Sequence, residues 1–192
     1  MGTQIQDVKL ELRRQVREKL AAMQESNCAV ASTQACSLLR RQKHWEQARS
    51  ILFYAPLAKE LDVWPLVAAA LVAGKTVALP RFVPETNNYI ACAIGDPAKD
   101  LLPGQFGIRE PADHCAHLSP NRLDFILVPA IAFDLQGRRL GRGNGFYDQL
   151  LMTLRGTTCG VAFDEQIVRE VPVEPHDVPV NCILTPSRWI EL

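Results

Sequence analysis

The chain has 192 residues, enough for one ordinary domain with a sizeable core, and its 47% apolar and 22% charged residues are those of a globular protein, not a disordered one. Its formal net charge is zero, so no long-range field gathers nucleic acid or an anionic membrane, although local Arg and Lys can still hold a small anion. The longest apolar run, Leu66 to Ala73, is far short of a membrane span, and the N-terminus lacks the basic-then-apolar order of a secretory signal.

The first predicted element is an amphipathic helix. Ile5, Val8, Leu12, Val16, Leu20 and Met23 recur at three- and four-residue intervals, and Lys9, Arg13 and Arg17 climb beside that apolar stripe. A second helix is expected from about Ser32 to Trp45, then a buried strand over Ser50 to Tyr54, ended by Pro56. Asp62 is the expected N-cap of a helix running through Leu71, with Gly74 as its stop. Lys75 to Leu79 reads as the next strand, closed by Pro80. Strand, helix, strand in that rhythm implies a right-handed crossover and a parallel sheet. Asn88 to Ile94 suits a further strand, and Gly95 to Pro120, rich in Pro, Gly and Asp, is expected to be mostly irregular. Leu123 to Val128 is a buried strand stopped by Pro129. A turn at Gln136-Gly137, a helix over Phe146 to Leu154 and strands at Thr157 to Phe163 and Val180 to Leu184 complete the chain. No repeat or linker interrupts it. The expectation is one domain, residues 1–192, of class α/β: a three-layer α/β/α sandwich with a mostly parallel sheet. Six cysteines without a CxxC pair read as free, mostly buried thiols in a reducing cytosol.

The segment richest in chemistry is Arg139-Leu140-Gly141-Arg142-Gly143-Asn144-Gly145-Phe146-Tyr147-Asp148. Three glycines at alternate positions let backbone N–H groups approach an anion, and the following helix points its positive end at the same place. Arg139 and Arg142 add charge-assisted bonds, and Asp148 in the first helical turn suits a magnesium ion. The same pattern also suits a plain glycine turn between sheet and helix. Its G-x-G-x-G order is not the dinucleotide-binding fingerprint.

Two other segments imitate motifs. Gly74-Lys75-Thr76 resembles the end of a P-loop, but Ala69 stands where the first glycine belongs, and the lysine leaves a helix for a strand instead of the reverse. Asp113-His114-Cys115-Ala116-His117 has ligand types for zinc, at spacings too tight for a structural site, and reads as a polar loop. There is no G-x-S-x-G, no H-E-x-x-H and no cysteine in a nucleophile's setting.

Leu127-Val128-Pro129-Ala130-Ile131-Ala132-Phe133-Asp134, followed by the glycine segment, resembles the central motif of the 5-formyltetrahydrofolate cyclo-ligase family. Lys9 to Arg13 is similar to the family's N-terminal K-x-x-L-R helix, Tyr54 to Asp62 and Gly74 to Arg81 to its second block, and Phe106 to Pro111 to its G-I-x-E-P turn. Gly160 to Phe163, Gln166, Pro172, His176-Asp177 and Thr185 fit its last block. Two departures are Ala130 for the usual glycine and Phe146 for the first of two tyrosines.

The resemblance implies the three-layer fold shared with sugar-phosphate isomerases and CoA-transferases, and conversion of 5-formyltetrahydrofolate to 5,10-methenyltetrahydrofolate with ATP and Mg²⁺. Lys9, Leu10, Glu11, Leu12 and Arg13, with Arg139, Leu140, Gly141, Arg142, Gly143, Asn144, Gly145, Phe146 and Tyr147, would hold ATP. Ala55, Glu60 and Arg142 to Phe146 would contact the folate. Asp148 and Asp177 would place the metal, and Arg142 and Tyr147 would be catalytic. The expected setting is a cytoplasmic monomer whose partners are small molecules. The rivals are an ATP-independent isomerase or transferase of the same fold, and a nucleotide- or folate-binding protein without turnover.

Overall fold

The computed structural model describes residues 2–104, 107–143, 145–175 and 177–192, and leaves out the side chains of residues 2, 3 and 146. Helix α1 (Gly2–Ala22) follows the predicted stripe over its second half, where Val16 and Leu20 are buried. Val8 stays exposed. Helix α2 (Glu25–Leu39) starts earlier than expected and stops before Trp45. Ser32 is interior to it: its hydroxyl donates to Cys28 O at 2.8 Å and accepts from Asp62 N–H. Trp45 belongs to a separate short helix, α3 (Lys43–Gln47).

Strand β1 (Ser50–Leu52) leads through a loop to α4 (Trp64–Val72). Asp62 is not the cap residue; that is Val63, and the Asp62 carboxylate accepts from Trp64 N–H. Gly74 does stop α4. It has φ +70°, its N–H reaches Leu71 O, and Lys75 N–H reaches Ala70 O, a Schellman ending.

Strand β2 (Thr76–Val83) runs through Pro80 and pairs antiparallel with β3 (Asn88–Ile94). The proline is tolerated for a definite reason. Ala78 O accepts from Phe53 N–H, so residues 78, 80 and 82 face the β1 side. The last β1–β2 pair is Leu52 with Ala78, so Pro80, with no N–H to give, lies just past the end of that ladder, and Phe82 N–H is taken by the Glu110 carboxylate at 3.0 Å.

The segment expected to be irregular carries α5 (Pro97–Asp100) and the small hairpin β4 (Leu101–Pro103) and β5 (Arg109–Pro111). Strand β6 (Phe125–Pro129) is followed by the hairpin β7 (Ala132–Phe133) and β8 (Arg139–Leu140), then α6 (Phe146–Thr153), β9 (Thr157–Val161), β10 (Cys182–Leu184) and β11 (Trp189–Glu191). The main sheet has the order β11-β10-β9-β6-β1-β2-β3, parallel except at its two edges.

Side chains alternate across this sheet. Ile51, Val77, Phe125, Leu127 and Cys159 pack with α1, α2 and α4, whereas Leu52, Ala78, Ile126 and Val128 pack with Leu150, Leu151 and Leu154 in and after α6. Helices thus cover both faces. All six cysteines are free, and all but Cys28 are buried. No helix among the described residues is long and apolar enough to cross a membrane.

The chain enters the sheet at β1, fills one side with β2 and β3, and then crosses to β6, β9 and β10 on the other. This reversal opens a crevice between the carboxyl ends of β1 and β6, the place where open α/β sheets bind ligands.

Candidate active site

A cleft of about 410 Å³ lies at that switch point. Its floor is Tyr54 and Ala55 beyond β1, Pro80 on β2, and Pro129 and Ala130 at the end of β6. Ala130 is 6% exposed and its carbonyl accepts from the Gln166 amide at 2.8 Å, so the methyl group is accommodated where the resemblance has glycine. Gln166 also reaches Ile131 O and accepts from Phe163 N–H, which fixes the floor.

One wall is the glycine segment. Gly143 (φ +114°) and Gly145 (φ +70°) use backbone angles that L side chains rarely adopt, and Gly145 is the N-cap of α6. Arg13 of α1 donates from Nε to Gly141 O at 2.9 Å, so the first helix clamps the loop. Arg139 is buried, ion-paired with Asp148 and set over the Tyr147 ring at 6.0 Å; among the described residues its Nε has no hydrogen-bond partner. Arg142 donates to Glu60 at 2.6 Å, and Glu60 also accepts from Leu57 N–H. Burial, with the charge of Glu60 adding to it, pushes the Tyr147 phenol well above its usual value, so it is a hydrogen-bond donor at neutral pH and not a base.

The opposite corner joins the chain's two ends. Lys9 Nζ lies 2.7 Å from Asp177 and 2.9 Å from Glu174, and its side chain is 6% exposed. Burial alone would lower its pKa, but the bonds to Asp177 and Glu174 together outweigh it, and the net shift is upward. Gln6 also donates to Glu174.

Lys9, Arg13, Ala55, Glu60, Arg139, Leu140, Gly141, Arg142, Gly143, Gly145, Tyr147, Asp148 and Asp177 therefore line one cleft. Leu10 and Glu11 do not: Leu10 is 63% exposed and Glu11 pairs with Arg14 on the outer face. Leu12 packs against the core. The 3.6-residue repeat turns all three away while Lys9 and Arg13 stay in register. Asn144, Phe106 and His176 lie outside the described residues, as does the side chain of Phe146. Glu174, Gln6 and Tyr89 also line the cleft, and the sequence reading had not singled them out. An acidic residue three before Asp177 was the available signal for Glu174.

The two imitations stand elsewhere. Lys75 donates to Glu46 O and Ala48 O at the amino-terminal end of the strands, opposite the cleft. His114 Nε2 meets Asp100 Oδ1 at 3.0 Å, and the Cys115 thiol donates to Asp100 O, which makes a loop clamp of that cluster.

Fold and cleft define an α/β protein with a charged cleft at the carboxyl ends of its parallel strands. A model of the 5-formyltetrahydrofolate cyclo-ligase family matches residues 5–186, and the chain belongs to that family. It is 33% identical to the 5-formyltetrahydrofolate cyclo-ligase of Haemophilus influenzae, over 93% of this chain and 96% of that one. With the Escherichia coli cyclo-ligase it shares 30% identity over 90% and 97% of the two chains. Among solved structures, 5,10-methenyltetrahydrofolate synthetase of Aquifex aeolicus superposes with a TM-score of 0.87 at 33% identity, covering 96% of this chain and 93% of that one. The chain is accordingly an enzyme of the cyclo-ligase family.

Proposed function

We propose that the protein closes 5-formyltetrahydrofolate to 5,10-methenyltetrahydrofolate at the expense of ATP, in a Mg²⁺-dependent reaction that releases ADP and phosphate. The observation that supports this most is the union, in one cleft, of a glycine loop, four cations from two distant segments (Lys9, Arg13, Arg139, Arg142) and the carboxylates Glu60, Asp148 and Asp177.

The chemistry needs no enzyme nucleophile. The formamide oxygen of the folate attacks the γ-phosphate, forming a P–O bond as ADP leaves. The neighbouring anilino nitrogen then adds to the activated carbon and loses its proton. Cleavage of the carbon–oxygen bond releases phosphate, which carries that proton away, and leaves the methenyl ring. Alignment and charge neutralisation supply the rate. In this reading the open backbone at Gly143 and Gly145 receives phosphate oxygens, Arg13 fixes the loop, and Arg142 neutralises the transferring group. Tyr147 donates its hydroxyl to an oxygen. Glu60 recognises the amino-pyrimidinone edge of the pterin, whose two adjacent N–H donors match a carboxylate. Asp148 and Asp177 are the hard oxygen donors Mg²⁺ prefers, and one or two carboxylates plus substrate phosphates is its usual protein environment. Bound there, the ion would offset charge on the β- and γ-phosphates.

The test is direct. Purified protein, Mg-ATP and 5-formyltetrahydrofolate are mixed and the methenyl product's absorbance is followed. A nucleotide-dependent rise in melting temperature with no product would replace this reading with that of a binding protein.

A further inference from the structure

Among the described residues five cations line the cleft: Lys9, Arg13, Arg109, Arg139 and Arg142. Three of them are matched to carboxylates, Lys9 to Glu174 and Asp177, Arg139 to Asp148, and Arg142 to Glu60. Arg13 is committed to the glycine loop through Gly141 O. Arg109 differs from all of these. Among the described residues it forms no ion pair, and its one side-chain hydrogen bond runs to a carbonyl, Pro97 O, at 2.7 Å. Its guanidinium lies 5.5 Å from the centre of the Trp64 ring. The group is thus held from two sides, with one of its five N–H donors engaged.

Its position along the cleft is also informative. Arg109 is on β5, which is tied to β2 through the Glu110–Phe82 bond and so lies across the switch point from the Lys9–Asp177 corner. The same cleft carries the apolar and aromatic lining of Leu57, Tyr89 and Ile108. A carboxylate suited to a pterin edge, an apolar lining and an arginine without a carboxylate partner are what the pterin, the aminobenzoyl ring and the glutamate of a folate each require. We propose that Arg109 binds a carboxylate of that glutamate. The proposal rests on the folate reading above and adds where the substrate's anionic end is held. A guanidinium fixed by stacking loses little freedom on pairing, and its fork matches a carboxylate bidentately.

The experiment compares two substrates in wild type and Arg109→Gln: 5-formyltetrahydrofolate, and the primary amide of 5-formyltetrahydropteroate, in which a neutral carboxamide replaces the glutamate and no carboxylate remains. The expected result is a rise of about tenfold in KM for the folate in the variant, with kcat and the KM for ATP within about twofold of wild type. The pteroyl amide should show the same KM with either protein. An equal rise for the amide would overturn the proposal, because the arginine would then act on the ring system. A rise in the KM for ATP alone would make it a phosphate contact, and no change at all would leave it a surface charge; each sinks the idea. Arg109→Lys, which keeps charge but not the fork, should fall between, and it carries the test if the Gln variant does not fold. Failure of the wild type to turn over either substrate would instead overturn the folate reading itself.

Discussion

Arg142 and Glu60, 82 residues apart in the chain, form a 2.6 Å hydrogen-bonded ion pair across the cleft. Glu60 is nearly buried, its side chain 9% exposed, whereas the Arg142 side chain is 47% exposed. In the proposed reaction a pterin edge bound at Glu60 would compete for that carboxylate and turn the arginine towards the phosphoryl group. Arg142→Ala should therefore lower kcat by at least tens of times, and because it leaves the nearly buried Glu60 without its cation it should also cost about 1 kcal/mol of stability. Steady-state kinetics and thermal melts decide it. A fully active variant would make Arg142 a surface charge.

Lys9→Ala should raise the KM for ATP well above any change in that for the folate. It should also destabilise the protein, because it leaves Glu174 and Asp177 facing one another without their shared cation. The expected cost is about 1–3 kcal/mol, measured by urea unfolding. Arg17→Ala, on the exposed continuation of the same helix, is the control and should do neither.

Chelation by EDTA, or omission of ATP, should abolish product formation, with Mg²⁺ restoring it after chelation. Turnover that is unchanged without nucleotide or metal would favour the isomerase-like rival.

Gln166→Leu removes one side chain that serves Ala130 O, Ile131 O and Phe163 N–H. Leaving buried groups without partners should cost about 2–3 kcal/mol and raise the KM for the folate, because the cleft floor loosens. Equal stability of variant and wild type would show the floor is held by other means.

Asp100 accepts from Gly95 and Asp96 N–H and from His114. The Asp96 backbone bond, then His114 and the Gly95 backbone, lower its pKa from 3.8 to about 2. A depressed folded-state pKa means stability that is complete above the unfolded value and lost as pH falls through the folded one. The stability advantage of wild type over Asp100→Asn should thus be full above about pH 4 and vanish near pH 2. Denaturant unfolding across that range measures it, and a pH-independent difference would refute the assignment.

Much of this was legible in the chain alone. Apolar periodicity places α1 and the parallel strands, and the glycine segment marks the cleft wall, because both depend on neighbours within a few residues. Helix and strand limits were read less well where side chains from afar intervene. Ser32 looked like a beginning yet sits inside α2, bonded to Asp62, and Pro80 looked like an ending yet lies where β1 no longer competes for β2. The antiparallel edges β3 and β11 likewise depend on partners that no local pattern names. In the candidate site, the sequence alone supplied residue types: basic groups on one helix, glycines and arginines on a loop, acids near each. Only the tertiary structure decided which of them meet. It joins Lys9 to Glu174 and Asp177 across more than 160 residues, turns Leu10 and Glu11 outward by helical phase, and leaves Arg109 as a cleft cation without a carboxylate among the described residues. The reason is physical: charge pairing is set by distances of a few ångströms in space, and sequence separation carries almost no information about those.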